Sequence, residues 1–114
     1  MSNLENTQAQ MRKGVLEFCI LSILSHTEVY PSDIISRMKE AKLIVVEGTL
    51  YPLLTRLKNA GLLTYRWEES KSGPPRKYYS LTPLGEKFLE ELHQTWNELV
   101  EAVEQTTKKS QTHE

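Results

Sequence analysis

A single cysteine, Cys19, among 114 residues leaves no internal disulfide framework to staple the fold. It lies in an apolar run where a small buried side chain fits, and it suits a reducing compartment. No run reaches the ~20 apolar residues needed to cross a bilayer, since Glu17 precedes the best candidate and Ser22 and Ser25 interrupt it. The N-terminus has no basic region followed by an apolar one and a cleavage site, so a cytoplasmic protein without a membrane partner is expected. Paired carboxylates in an apolar pattern and a glycine-rich phosphate loop are both missing, and Cys19, His26, His93 and His113 lack the spacing of a metal site. Enzymatic chemistry is therefore not expected, and neither is a cofactor or a metal.

The residues that are present, 39% of them hydrophobic and 25% charged with both signs mixed, fit one folded domain over residues 1–114. Its core would be thin, and self-association would extend it. Only the polar ends, Met1 to Gln10 and Thr106 to Glu114, are expected to fray. The formal net charge of −1 hides an asymmetry: Tyr30 to Thr82 carries nine bases against five acids, and Pro83 to Glu114 three against seven. A basic middle next to an acidic element fits a nucleic-acid reader joined to a solvated oligomerisation element.

From Met11 to Leu24 apolar residues cover nearly every face of a helix, which predicts an element enclosed on several sides at the centre of the core. Pro31, tolerated in a first turn, opens a second helix with Ser32 and Asp33, and Ile34, Ile35, Met38 and Ala41 carry it to about Lys42. After the apolar connection Leu43 to Val46, the series Leu50, Leu53, Leu54 and Leu57 marks a third helix, closed by Gly61 as a left-handed cap. The period then changes to two. Leu63, Tyr65 and Trp67 alternate with Thr64, Arg66 and Glu68 in a strand with one buried face, and Tyr79 and Leu81 flank Ser80 in a second. Ser70 to Pro75 makes a long tip between them. Thr82 and Pro83 are the cap and first residue of a last helix of about 24 residues, about 36 Å long. This order is that of a mainly α (α+β) winged helix-turn-helix over residues 11–82, with an additional long C-terminal dimerisation helix over residues 83–108.

The apolar stripe of the third helix leaves Glu47, Thr49, Tyr51, Pro52, Thr55, Arg56 and Lys58 nearer to solvent. Thr49, Tyr51 and Pro52 fall in the first turns, where a recognition helix meets base edges and phosphates, while Arg56 and Lys58 reach the nucleic-acid backbone. Pro52 is expected within the first turn, before its missing N–H is required. Such a helix also fits an ordinary solvated surface, and the hairpin decides between the two. Lys71, Arg76 and Lys77 lie within seven residues that contain no acid. Pro74 and Pro75 stiffen this tip, so little entropy is lost when it docks against phosphates. Two tips and two recognition helices in a dimer would offer on the order of 6 to 10 phosphate contacts. In the last helix Leu89, Leu92, Trp96, Leu99, Val100 and Val103 form a stripe longer than a core of this size covers, which assigns it to a homodimer interface with the first helix as second wall. Trp96 either packs in that interface or, paired with its symmetry mate, stacks on a flat aromatic effector. The competing function is a winged-helix protein-interaction module, in which the wing cations would be dispensable.

The blocks GTLYPLLTRLKNAGLL, from Gly48 to Leu63, and GPPRKYYSLTPLGEKFL, from Gly73 to Leu89, with Trp67 between them, resemble the PadR family of bacterial transcriptional regulators. The resemblance extends from about Arg12 to the final helix. It implies a homodimeric winged-helix repressor that binds palindromic double-stranded operator DNA and is released by a small phenolic or drug-like ligand. It also implies DNA contacts at Thr49, Tyr51 and Pro52, at Lys71, Gly73, Arg76 and Lys77, and at Tyr30 in a shortened turn before the second helix. Tyr78 and Tyr79 match the tyrosine pair that follows the wing, and the single helix after the wing is that of the shorter members.

Overall fold

The computed structural model describes residues 2–108; of the ends expected to fray, Met1 and residues 109–114, His113 among them, lie outside the described residues, whereas Thr106 and Thr107 are helical rather than frayed. Five helices and one hairpin follow in the order α1 (Asn3–Lys13), α2 (Leu16–Leu24), α3 (Pro31–Glu40), α4 (Glu47–Asn59), β1 (Leu63–Ser70), β2 (Gly73–Leu81) and α5 (Pro83–Thr107). The expected order of elements is therefore present, with one helix added at the front.

That helix corrects the expectation of a frayed N-terminus. Ser2 Oγ accepts the Glu5 N–H at 3.0 Å while a Glu5 carboxylate oxygen accepts the Ser2 N–H at 3.0 Å, a reciprocal capping box, and Arg12 and Lys13 complement the far end of the dipole. Polar composition hides this helix, since no residue of α1 is buried. The Met11 to Leu24 run is likewise not one helix. It breaks at Gly14 and Val15, and Met11, 72% exposed, lies outside the core.

The core sits where α2, α3 and α4 meet, with Ile20, Leu21, Ile34, Met38, Leu50, Leu54 and Leu57 fully buried. Asp33 accepts the Tyr30 N–H at 3.0 Å at the start of α3, behind Pro31 in the first turn. Both α3 and α4 end in the same motif. Leu43 N–H reaches the Met38 carbonyl at 2.8 Å over Lys42 at φ 64°, and Leu62 N–H reaches the Leu57 carbonyl at 3.0 Å over Gly61 at φ 82°. Gly61 thus takes the left-handed position its sequence context predicts.

The hairpin pairs antiparallel, with Leu63 opposite Leu81, Tyr65 opposite Tyr79 and Glu68 opposite Arg76. A bridge between Val29 and Tyr79 lays a short third segment along the free edge of β2. Three expectations are corrected here. The tip is only Lys71 and Ser72, because β1 runs to Ser70 and β2 begins at Gly73. Pro74 and Pro75 stand inside β2, at the register shift between Glu68 and Ser70, where a bulge tolerates residues without an N–H. Trp67 is 60% exposed, since the outer half of the hairpin projects past the core that its alternation seemed to require.

In α5, Thr82 caps the first turn by accepting the Gly85 N–H at 2.9 Å. Leu89 is buried in the subunit's own core, and Leu92 packs against it. Both are expected in a dimer stripe, and the exposed part of that stripe begins only at Trp96.

Candidate nucleic-acid interface

Around α4 the burial of Leu50, Leu54 and Leu57 fixes the opposite face outward. Gly48, Pro52, Thr55 and Asn59 share its exposed ridge at helical spacing. Pro52 is the sixth residue of α4, beyond the first turn where it was expected, so the Gly48 carbonyl lacks the N–H that an ordinary helix would bring to it. Tyr51 and Lys58 lie on the flank toward the hairpin, where the Lys58 ammonium stands 5.5 Å from the centre of the Tyr65 ring. Thr49 and Arg56 lie on the other flank. Thr49 lines a shallow cleft with Arg12 and Lys13 of α1, and Arg56 makes a two-pronged ion pair with Glu17 of α2, which raises its pKa. That guanidinium is spoken for within the subunit.

Between the N-terminal ends of α3 and α4 and the hairpin lies a groove of about 490 Å³, lined by Tyr30, Pro31, Ser32, Tyr51, Thr55, Trp67, Pro75, Arg76, Lys77 and Tyr79. Four of the expected residues, Tyr30, Tyr51, Arg76 and Lys77, come together in it. Lys71 and Gly73 stand apart at the hairpin tip. Thr55, expected only as a solvent-facing residue of the helix, joins the groove at helical spacing from Tyr51, and Trp67 joins it although the alternation around it points to burial.

Charge and aromatic faces interleave throughout this groove. The Lys77 ammonium is 4.3 Å from the Tyr65 ring centre and 5.3 Å from that of Trp67. Arg76 lies 5.1 Å from the Tyr30 ring centre. Arg66 is bound by Glu28 at 2.9 Å and Glu68 at 2.9 Å, and its hydrogen bonds hold the Glu28 carboxyl below the usual carboxylate range. Among the described residues Lys71, Arg76 and Lys77 have no carboxylate partner. Burial raises the Tyr79 hydroxyl's pKa, keeping it neutral behind the groove.

A second cavity, about 500 Å³ and almost wholly apolar, lies between Met11 and Val15 on one side and Trp96, Leu99, Val100 and Val103 of α5 on the other. Trp96 is 40% exposed, its ring centre 6.2 Å from that of Phe18. No helix among the described residues is long and apolar enough to cross a membrane, and no cluster of His, Cys, Asp and Glu there is arranged to hold a metal.

Residues 20–91 match the family described as transcriptional regulator PadR-like. Among solved structures, a PadR-like transcription factor from Bacteroides fragilis is 61% identical with a TM-score of 0.76, over 90% of this chain and 99% of that one. A PadR family regulator from Eggerthella lenta is 29% identical with a TM-score of 0.87, over 94% of each chain. PadR of Bacillus subtilis, solved in complex with operator DNA, is 30% identical with a TM-score of 0.64, over 68% of this chain and 46% of that one.

Proposed function

The chain belongs to the PadR-like family of transcriptional regulators, and on that premise we propose that it acts as a homodimeric repressor whose α4 and wing groove take up operator DNA. The observation that carries this reading is the wing itself, whose three cations Lys71, Arg76 and Lys77 have no carboxylate partner among the described residues while Arg66 and Arg56 are ion-paired. Uncompensated cations beside exposed aromatic faces suit phosphate and base contacts, and a neutral protein partner gives no reason for them.

The elements divide the work. The exposed ridge of α4, with Pro52 on it and Tyr51 on its hairpin flank, presents to base edges, and the helix dipole there favours phosphate. The hairpin supplies the flanking phosphate contacts. The apolar face of α5 beyond Leu92 joins two copies, with α1 as its second wall.

A salt titration of binding to a duplex selected from a random pool tests the reading. Affinity should fall with log salt at about −0.9 per phosphate contact, and replacing Lys71, Arg76 and Lys77 together by alanine should make the slope shallower by about three contacts per subunit. A slope and affinity untouched by the triple substitution would leave a winged-helix protein-interaction module as the better account.

A further inference from the structure

We propose that Arg66, Tyr78 and Tyr30 form a positioning relay that orients Arg76 toward a DNA phosphate. The inference rests on the DNA-binding reading and assigns Arg66 and Tyr78 a task within it.

Strand register lines these groups up. Arg66 pairs with Tyr78 across the hairpin, and the Val29 to Tyr79 bridge brings Tyr30 alongside Tyr78 on the other edge of β2. The two tyrosine rings stack, centres 4.0 Å apart and planes 20° from parallel. The Arg66 guanidinium is 4.8 Å from the Tyr78 ring centre, and the Arg76 guanidinium is 5.1 Å from that of Tyr30. Each planar group therefore lies against the next, from Arg66 through Tyr78 and Tyr30 to Arg76.

One end of the row is anchored and the other is open. Arg66 donates to Glu28 at 2.9 and 3.0 Å and to Glu68 at 2.9 Å, which uses up its charge and fixes its plane. Tyr78 is thereby held against a fixed surface, and Tyr30 is held both by that ring and by its backbone bond to Asp33. Arg76 is exposed and has no carboxylate partner among the described residues. A guanidinium that lies on an aromatic face keeps its N–H edge free for two phosphate oxygens. An unsupported arginine would instead lose its rotamer freedom when it bound. The row removes that loss in advance, and it explains why a half-buried tyrosine pair and an arginine held between two carboxylates stand next to the wing.

The test is a double-mutant cycle on the selected duplex, with folding followed by circular dichroism. Arg76→Ala should weaken binding about tenfold and reduce the salt slope by about one contact per subunit. Tyr78→Leu should weaken it about fivefold, reduce the slope similarly, and add nothing further in the Arg76→Ala background. Tyr78→Phe, which keeps the ring, should bind like the unaltered protein. If Tyr78→Leu lowers stability, Arg66→Lys replaces it in the cycle: it keeps a charge beside Glu28, removes the planar group, and should give the same non-additive loss. Full additivity with Arg76→Ala, or a Tyr78→Phe variant as weak as Tyr78→Leu, would overturn the relay and leave DNA binding standing. Failure of the unaltered protein to retain any duplex would overturn both.

Discussion

Gly85 stands in the first turn of α5 with no room for a methyl group: a Cβ there would lie 2.1 Å from the Leu62 carbonyl oxygen and 3.0 Å from its carbon. The crowding has a cause. Leu62 O accepts the Thr82 N–H at 3.1 Å and the Thr82 hydroxyl donates to Gly61 O at 2.6 Å, so the start of α5 is drawn onto the corner between α4 and β1. Gly85→Ala must pull that corner apart, and a loss of about 2–3 kcal/mol is expected in denaturant unfolding. Gly48→Ala is the control. Its Cβ would meet nothing within 4 Å, so the helix-propensity gain of about 0.5–1 kcal/mol should appear instead. Equal midpoints for the two variants would show that the corner yields freely. The two glycines at this corner also differ in how far the sequence reveals them. Gly61 follows an apolar helical series and needs only a local cap, which its neighbours specify. Gly85 is required by a backbone from another element, and no local pattern encodes that approach.

At the scale of elements, helix order, the hairpin and the long last helix were all legible, because each rests on a period of hydrophobic spacing that the core enforces. Where no core enforces the period, spacing carries no such signal. α1 buries nothing and is declared only by Ser2 and Glu5, and the outer hairpin exposes Trp67 in a position where strict alternation implies burial. The paired prolines read as a tip; the bulge that accommodates them inside β2 depends on strand register, which their own sequence does not state. α4 holds the most telling conflict of this kind. Pro52, at its sixth position, breaks a local rule that costs about 3 kcal/mol in a helix interior, offset by about 1 kcal/mol from a stiffer unfolded chain. Pro52→Ala should therefore raise stability by about 2 kcal/mol in thermal melts. On the proposed interface the same change should weaken DNA binding, because the exposed ring sits on the ridge that meets base edges. A variant both more stable and tighter-binding would remove Pro52 from the interface.

The whole subunit has a Cα radius of gyration of 17.3 Å, whereas a compact chain of about 100 residues has one near 13 Å. The excess comes from parts that stand away from the core. α1 buries no residue, and past Leu92 helix α5 offers Trp96 at 40%, Leu99 at 50% and Val103 at 48% exposure. Met11 and Val15 face these side chains across an almost wholly apolar cavity, so among the described residues this wall is only partly covered by its own subunit. On the dimer reading a second copy supplies the missing half, and folding and association are then coupled. Thermal midpoints should rise with protein concentration, since association stabilises only the folded state. Leu99→Asp with Val103→Asp places two carboxylates in that wall without touching the core around α2 and α4. Sedimentation should then find a single subunit at micromolar concentration, with its midpoint lowered and no longer dependent on concentration. Affinity for a palindromic duplex should fall far more than for a half-site, because joining two readers raises the effective concentration of the second. Were the doubly substituted protein still a dimer, the joining surface would have to lie elsewhere, and the spacing of the two wings would need to be derived again from that surface.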